Sequence, residues 1–409
     1  MARARLASLR RERLVVVGGG MAACRLVEEL VGLAPDRYDV TLVGKEPHPP
    51  YNRVLLSSLL AGDAEAVDLE LRPPSWYAEH GVEVMCRHTA VAIDAAACRV
   101  ELGHGERLAY DRLVLATGSN AVRLPIPGAQ LPGVAAFRDL ADADLLRATA
   151  PGGDAVVIGG GLLGIEAACG LARRGLAVTL VHLMPRLMER QLDAPAAAVL
   201  KSALARQGIA VMLEAETAAI EGAGRAERVI LKDGRALPAD LVVMTAGVRP
   251  ETALARAAGL AIGRGILVDD GLGTSCASIF AIGECAEHRS TCYGLVEPVH
   301  EQARVLALRL AGQEARYEGS LPATSLKVSG IPVFSIGDFE GVGAETLVLE
   351  DGEAGVYRKL VLRGDRLCGA VLIGDTSDAL WYRELVRRRP PLGAMRPLVA
   401  FGQALAEAA

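Results

Sequence analysis

Two glycine-rich segments are the residues of this sequence best suited to chemistry, because they match a pattern that binds dinucleotide phosphates. The first glycine of such a segment makes a tight turn, the second lets the pyrophosphate approach the backbone, and the third position allows helix and strand to pack closely. The helix N-terminus then offers N–H groups and a favourable dipole to the phosphates. The pattern occurs at Gly18, Gly20 and Ala23, and again at Gly159, Gly161 and Gly164.

The surroundings of the two segments are also repeated. Each follows a short apolar run and precedes a helix-like stretch, which leads to the similar runs Val40–Val43 and Val178–Val181. A single match would leave open a glycine-rich turn without a ligand. Two matches in register, each inside a βαβ pattern, predict two dinucleotide-binding domains.

The residues at the end of the second strand of each unit bear on which dinucleotide is bound. An acidic residue about 20 positions after the fingerprint holds ribose hydroxyls, and Glu46, preceded by Lys45, occupies that place in the first copy. The second copy has His182 there, with Arg186 close by. Without the acid an NAD preference is weaker, and an arginine could bind the 2′-phosphate of NADP. The choice between NADH and NADPH stays open.

A third element follows from Thr274 to Glu284, where a turn and a short apolar strand lead into Gly283-Glu284 and a helix. A carboxylate at such a strand end can accept hydrogen bonds from ribitol hydroxyls. Together with the two fingerprints, Ala116-Thr117-Gly118 and Gly247, this ordered set resembles the FAD-dependent pyridine nucleotide oxidoreductases that have two dinucleotide folds.

The resemblance implies two sets of binding residues and one catalytic candidate. The FAD set is Gly18, Gly20, Ala23, Lys45, Glu46, Arg53, Ala116, Thr117, Gly118, Gly283 and Glu284. The set for NADH or NADPH is Gly159, Gly161, Gly164, His182, Arg186 and Gly247. Glu166 corresponds to a family carboxylate that approaches the flavin and the nicotinamide.

The motif order implies an α/β fold in which the NAD domain is inserted into the FAD domain. We expect two Rossmann-like domains and a small C-terminal α+β domain. The predicted boundaries are 1–121 and 248–318 for the FAD-binding domain, 122–247 for the NAD(P)H-binding domain, and 319–409 for the C-terminal domain. In the last domain we expect strands at 323–328, 356–362 and 367–373 and a helix at 377–389, and Asp193 is expected to cap a helix that ends before Gly208.

The cysteines restrict how electrons leave the flavin. Disulfide reductases of this fold use cysteines beside the flavin, but none lies between Cys24 and Cys86. We therefore expect no redox-active disulfide and an external electron acceptor. The eight cysteines form no C-x-x-C pair, which argues against a zinc site, a cysteine-ligated iron–sulfur cluster and a secreted disulfide framework. No metal site is predicted, and the expected compartment is the reducing cytoplasm.

Two segments, Pro50–Ser58 and His182–Asp193, carry a narrower resemblance. They are similar to the flavin half of assimilatory NAD(P)H-dependent nitrite reductase large subunits and of nitrate reductase electron-transfer subunits. This implies an NAD(P)H oxidoreductase that passes electrons to a separate iron–sulfur, sirohaem or molybdenum reductase. A ferredoxin or rubredoxin reductase serving an oxygenase is the alternative, and a non-catalytic redox sensor that binds both nucleotides is a third possibility.

Composition excludes several other classes of protein. Hydrophobic residues make up 51% of the chain and charged residues 23%, with a net charge of −5, which disfavours disorder and a nucleic-acid-binding surface. No apolar run approaches the roughly 18 residues that span a bilayer. The oligomeric state, and the role of the arginine-rich start of the chain, are not predicted.

Overall fold

Short, mostly apolar runs of two to six residues form the parallel strands of two separate sheets in the computed structural model. The structure describes residues 10–326 and 330–408. The chain divides into two compact units. The first comprises the segments up to Arg53, Val67–Asn120 and Val248–Ser320. The second comprises Val54–Ala66, Ala121–Gly247 and the segment from Leu321 onwards. Compact units and domains are different divisions of a chain, so the predicted domain boundaries stay a prediction.

The first unit contains a parallel sheet of five strands. Their order across the sheet is Ile279–Ala281, Arg112–Leu115, Glu12–Val17, Tyr38–Val43 and Val82–Met85. The central strand Glu12–Val17 is buried from Leu14 onwards, as expected for a parallel strand covered on both faces. The helices Met21–Leu33 and Val296–Leu310 pack on each other in a core that includes Leu26 and Leu306.

The second unit repeats this arrangement. The order of its parallel strands is Ala210–Met212, Ala177–Val181, Asp154–Ile158, Leu241–Met244 and Val134–Ala135. The unit also contains an antiparallel sheet formed by the last part of the chain, in the order Ala323–Leu326, Val333–Gly337, Arg366–Ile373, Val356–Arg363 and Glu345–Asp351. The two parallel sheets and the antiparallel sheet with its helix confirm the predicted fold class.

The remaining strands are short, and two of the remaining helices have 12 and 13 residues. The other strands are Ala90–Asp94, Arg99–Leu102, Arg107–Ala109, Ser119–Ala121, Thr217–Glu221, Arg228–Leu231, Ala236–Pro238, Val248–Pro250, Ile266–Val268 and Ala286–His288. The other α-helices are Leu56–Ala61, Pro74–Glu79, Leu140–Arg147, Leu162–Arg173, Ala194–Arg206, Ala253–Ala257, Ala379–Arg388 and Gln403–Ala406. Short 3₁₀ helices occupy Arg53–Leu55, Ala66–Leu69, Gly283–Cys285, Gly393–Met395 and Val399–Phe401.

Local sequence signals place several of these elements. The helix Ala194–Arg206 begins where Asp193 accepts a hydrogen bond from the N–H of Ala196, as predicted, and Gly208 follows its end in a left-handed conformation. Three of the four elements predicted in the last part of the chain are found within two residues of both predicted ends. The fourth, expected at 323–328, is described as Ala323–Leu326, and its last two residues lie outside the described part of the chain. The strands Val333–Gly337 and Glu345–Asp351 were not predicted.

Within residues 10–326 and 330–408, the structure contains no helix long and apolar enough to cross a membrane. The arginine-rich start of the chain, up to residue 9, lies outside the described residues.

Candidate functional site

The first fingerprint forms a strand, a turn and a helix in which each glycine has a separate role. Gly18 follows the strand Glu12–Val17 with a φ of +127°. A Cβ at this position would lie 2.0 Å from the carbonyl oxygen of Ala116, so only glycine fits. A Cβ on Gly20 would meet no described atom within 4 Å. The space beside Gly20, at the N-terminus of the helix Met21–Leu33, is therefore open to a phosphate.

The second fingerprint has the same construction. Gly159 has a φ of +123°, and a Cβ there would lie 2.5 Å from the carbonyl oxygen of Thr245. Gly161 faces open space at the start of the helix Leu162–Arg173. The hydroxyl of Thr245 donates to the carbonyl oxygens of Ile158 and Gly159, each at 3.1 Å, and so fixes the turn. Both fingerprints thus fit a bound pyrophosphate.

The third position differs between the two copies. A Cβ on Gly164 would lie 1.8 Å from the carbonyl oxygen of Gly159, so the second copy requires glycine. The first copy carries Ala23 in the corresponding place, fully buried. The helix of the first copy therefore leaves room for a methyl group that the second copy does not accommodate.

Glu46 lies at the carboxyl edge of the first sheet, where it is held by its neighbours. It forms an ion pair with Arg53 and accepts a hydrogen bond of 2.7 Å from the hydroxyl of Tyr51. Burial alone would raise the pKa of Glu46, but Arg53, Tyr51 and the exposed Lys45 outweigh it and hold that pKa below its ordinary value. The structure therefore presents an ionised carboxylate, as ribose recognition requires.

Two further motifs meet in the first unit. Gly118 has a φ of +70° and follows Ala116 and Thr117, whose side-chain hydroxyl donates to the carbonyl oxygen of Glu251 at 2.9 Å. The carboxylate of Glu284 accepts a hydrogen bond of 2.7 Å from the hydroxyl of Ser119. Sequence reasoning overlooked Ser119, although its position directly after Ala-Thr-Gly was a usable signal.

Gly283 is anchored by a buried amide. Its N–H donates to the side-chain oxygen of Gln302 at 2.7 Å, and Gln302 is fully buried. Gln302 was also overlooked, because nothing in the sequence indicates that a helix residue contacts the turn at Gly283. This contact positions Glu284, the next residue.

The residues that follow the second strand of the second unit are engaged with protein groups. His182 is buried and accepts a hydrogen bond of 3.0 Å from the N–H of Gly160 through Nδ1. Its Nε2 lies 3.1 Å from the carboxylate of Glu189. Arg186 forms an ion pair with Glu340, and Gly247, with a φ of +102°, has open space around it. Their roles in coenzyme binding stay predictions.

Glu166 lies on the second fingerprint helix beside the short helix Leu56–Ala61. Burial raises the pKa of its carboxyl to about 7, although a hydrogen bond with Ser57 acts in the opposite direction. Ser57 was not predicted as a site residue, and its partner lies more than 100 residues away in the sequence. A carboxyl group with this pKa can exchange a proton near neutral pH.

The eight cysteines carry free thiols. Cys24 directly follows the first fingerprint, where it is buried, and burial raises the pKa of its thiol to about 12. A thiol with this pKa is protonated at neutral pH and is a poor nucleophile.

Comparison with protein families identifies the family to which a chain with these two glycine-rich fingerprints belongs. The model of the pyridine nucleotide-disulphide oxidoreductases matches residues 12–305. The chain belongs to this family. A second model, the C-terminal domain of rubredoxin NAD⁺ reductase, matches residues 322–390. The family membership confirms the prediction of an NAD(P)H oxidoreductase with FAD and NAD(P)H as cofactors.

Two curated relatives are particularly similar. The chain is 47% identical to the nitrite reductase [NAD(P)H] of Bacillus subtilis strain 168 over 371 residues, which covers 90% of this chain and 46% of the relative. It is 43% identical to the assimilatory nitrate reductase electron transfer subunit of the same strain, over 90% of this chain and 48% of the relative. The narrower resemblance predicted from the sequence is thus confirmed, and the chain spans about half the length of these relatives.

A solved structure of comparable length is also similar. The covalent putidaredoxin reductase–putidaredoxin complex contains a chain that is 28% identical, with a TM-score of 0.86. The match covers 93% of this chain and 94% of that one. The predicted binding and catalytic residues themselves stay predictions.

We predict that a matched pair of substitutions separates the two nucleotide sites. Gly20 and Gly161 have extended backbone conformations, with φ values of −101° and −80°, that valine adopts without strain. Gly161→Val should weaken NAD(P)H binding at least about tenfold and leave FAD bound, because the side chain fills the phosphate space. Gly20→Val should release FAD. Flavin absorbance and coenzyme titration measure both effects, and the opposite pattern would reverse the assignment of the two copies.

A second prediction concerns pH. Because the folded-state pKa of Glu166 lies above the ordinary 4.5, the folded protein binds this proton more tightly than the unfolded chain. The contribution of Glu166 to stability is full below about pH 4.5 and is lost as the pH rises through about 7. Glu166→Gln should therefore gain stability relative to the wild type, by about 1 to 3 kcal/mol at pH 8, and much less at pH 4.5.

Urea unfolding of the flavin-loaded protein at several pH values measures this difference. Glu46→Gln is the matched control with the opposite sign, because the pKa of Glu46 is lowered and its ionised form is stabilised. A Glu166→Gln advantage that does not change between pH 4.5 and 8 would contradict the assignment of a raised pKa.

Proposed function

We propose that this chain oxidises NADH or NADPH through FAD and passes the electrons to a separate assimilatory nitrate or nitrite reductase. The observation that carries this proposal is the pair of glycine-rich fingerprints in a chain that is 47% and 43% identical to the two Bacillus subtilis proteins. One of those relatives is an electron transfer subunit by name. A cytoplasmic location stays a prediction.

When bound, FAD accepts a hydride from the nicotinamide coenzyme and releases electrons one or two at a time. The chain's own residues bind and orient the two nucleotides. Gly20 and Gly161 leave room for the pyrophosphates, and the helix N-termini beside them offer N–H groups. In this proposal Glu46 and Glu284 accept hydrogen bonds from the ribose and ribitol hydroxyls of FAD.

Glu166 has a different part in the proposal. Its pKa of about 7 means that its carboxyl is about half protonated at neutral pH. A protonated Glu166 carries no negative charge that would oppose the charge that flavin reduction creates. It is also able to hold or release a proton at its side-chain oxygens. Glu166 is therefore our candidate catalytic residue.

The acceptor is what separates this proposal from its rival. One chain of the putidaredoxin reductase–putidaredoxin complex matches over nearly its whole length, which supports the rival function, a reductase that passes electrons to a separate small redox protein. Both functions need the same nucleotide sites, so the fold does not discriminate between them. The higher identity to the two nitrogen-assimilation proteins favours the first.

Deletion of the gene in the source organism tests the acceptor. We expect growth on nitrate or nitrite as nitrogen source to fail and growth on ammonium to be normal. The wild-type gene should restore growth, and the matched gene carrying Gly161→Val should restore it poorly, because its product folds but binds the coenzyme weakly. Normal growth on nitrate and nitrite, with failure on a substrate that needs an oxygenase, would establish the rival function.

A further prediction concerns thiols. Alkylation of the folded protein with iodoacetamide should leave NAD(P)H-driven reduction of ferricyanide nearly unchanged, because the sequence between Cys24 and Cys86 holds no cysteine and Cys24 itself is buried. A sample carried through the procedure without reagent is the control. Loss of activity in proportion to modification of one cysteine would restore a disulfide-type mechanism.

A further inference from the structure

Three side chains that bind metals well meet at the surface of the first unit, outside the nucleotide sites. They are His88, which follows the strand Val82–Met85, and His104 and Glu106, which lie in the turn between the strands Arg99–Leu102 and Arg107–Ala109. One ligand atom from each lies within 4.8 Å of the other two. The spacing of the cysteines predicted no metal site. Residues 88 and 104 are too far apart in the sequence to indicate that they lie close together.

The tautomer of His88 suits a metal ligand. Its Nδ1 lies 2.7 Å from the carbonyl oxygen of Cys86. A carbonyl oxygen only accepts hydrogen bonds, so Nδ1 carries the proton and Nε2 presents its lone pair. A hydrogen bond from the second ring nitrogen to a carbonyl is the usual support for a metal-bound histidine.

Backbone contacts hold the two segments in place. The N–H of His88 donates to the carbonyl oxygen of Gly44 at 2.9 Å. In the neighbouring turn, the N–H of Gly103 donates to the carbonyl oxygen of Thr89, also at 2.9 Å. The backbones that carry the three ligands are therefore tied together before any ion binds, and only side-chain rotation is needed to close a site.

One of the three ligand–ligand distances is already close to that of a tetrahedral site. Metal bonds of about 2.0–2.1 Å place neighbouring ligand atoms roughly 3.3 Å apart. Nε2 of His104 and an oxygen of Glu106 are already 3.0 Å apart. The side chains of His104 and Glu106 are 51% and 46% exposed, so both are free to adjust toward His88, and water has access to a fourth position.

We propose that His88, His104 and Glu106 form a binding site for a divalent transition-metal ion, best matched by Zn²⁺. Two imidazole nitrogens and one carboxylate oxygen favour zinc and its neighbours over Mg²⁺ and Ca²⁺, which prefer oxygen ligands throughout. The ion connects the turn after Leu102 to the segment that follows Met85. In that segment the N–H of Arg87 donates to the carbonyl oxygen of Glu46 at 2.9 Å, so the ion steadies the backbone beside a proposed FAD ligand.

Calorimetric titration of Zn²⁺ into the full-length, untagged, flavin-loaded protein in a non-coordinating buffer tests the site. We expect one ion per chain. His88→Gln and His104→Gln should each weaken binding at least about tenfold, and Glu106→Gln should weaken it as well. His80→Gln is the matched control, because His80 is an exposed histidine whose Nδ1 pairs with the carbonyl oxygen of Trp76. The affinity of the His80→Gln protein for Zn²⁺ should equal that of the wild type.

Zinc K-edge X-ray absorption then identifies the ligands. We expect nitrogen and oxygen neighbours at about 2.0–2.1 Å, whereas sulfur at about 2.3 Å would place the ion at a cysteine and overturn the proposal. Absence of binding, or equal affinity in the His104→Gln and His80→Gln proteins, would overturn it too. Flavin content and circular dichroism check that each variant folds. If His88→Gln does not fold, the zinc affinity of the His104→Gln protein decides the outcome, because His104 is exposed.

Discussion

The close approach of a glycine to the end of a neighbouring strand is the constraint on which both halves of this molecule depend. A Cβ on Gly18 would lie 2.0 Å from the carbonyl oxygen of Ala116, and a Cβ on Gly159 would lie 2.5 Å from that of Thr245. Neither position accepts a side chain. Each contact brings the turn after the central strand against the end of the adjacent strand. The helix that follows therefore starts at the carboxyl edge of the sheet, with its N-terminus open. The nucleotide sites result from this backbone geometry before any polar side chain contributes.

Two carboxyl groups, Glu46 and Glu166, differ in pKa because their surroundings differ. Glu46 is partly buried but has Arg53 and Tyr51 as partners, so it stays ionised. Glu166 is partly buried, and its hydrogen bond with the Ser57 hydroxyl does not offset the effect of burial, so its pKa rises to about 7. The same chemical group is thus held ionised in one unit and is able to exchange a proton near neutral pH in the other.

The sequence predicted those parts of the fold that depend on local patterns. Strand, turn and helix at each fingerprint follow from apolar runs and glycine spacing, and Asp193 marks its helix as expected. The strand Glu345–Asp351 was missed because it is mostly exposed and carries charged residues at both ends, which removes the apolar alternation that identifies a strand. Contacts such as Ser57 with Glu166, or His88 with His104, depend on how distant segments pack. No spacing rule in the chain encodes them.

The unequal third positions of the fingerprints have an evolutionary consequence. The two halves look like products of a duplication, yet their turns are no longer interchangeable. Gene conversion that copied the first fingerprint into the second would bring an alanine to position 164, where a methyl group meets the carbonyl of Gly159 at 1.8 Å. Conversion in the other direction would put glycine at position 23, at a helix-propensity cost of about 1 kcal/mol. Exchange between the halves is thus far more damaging in one direction, so selection acts against copying the first fingerprint into the second.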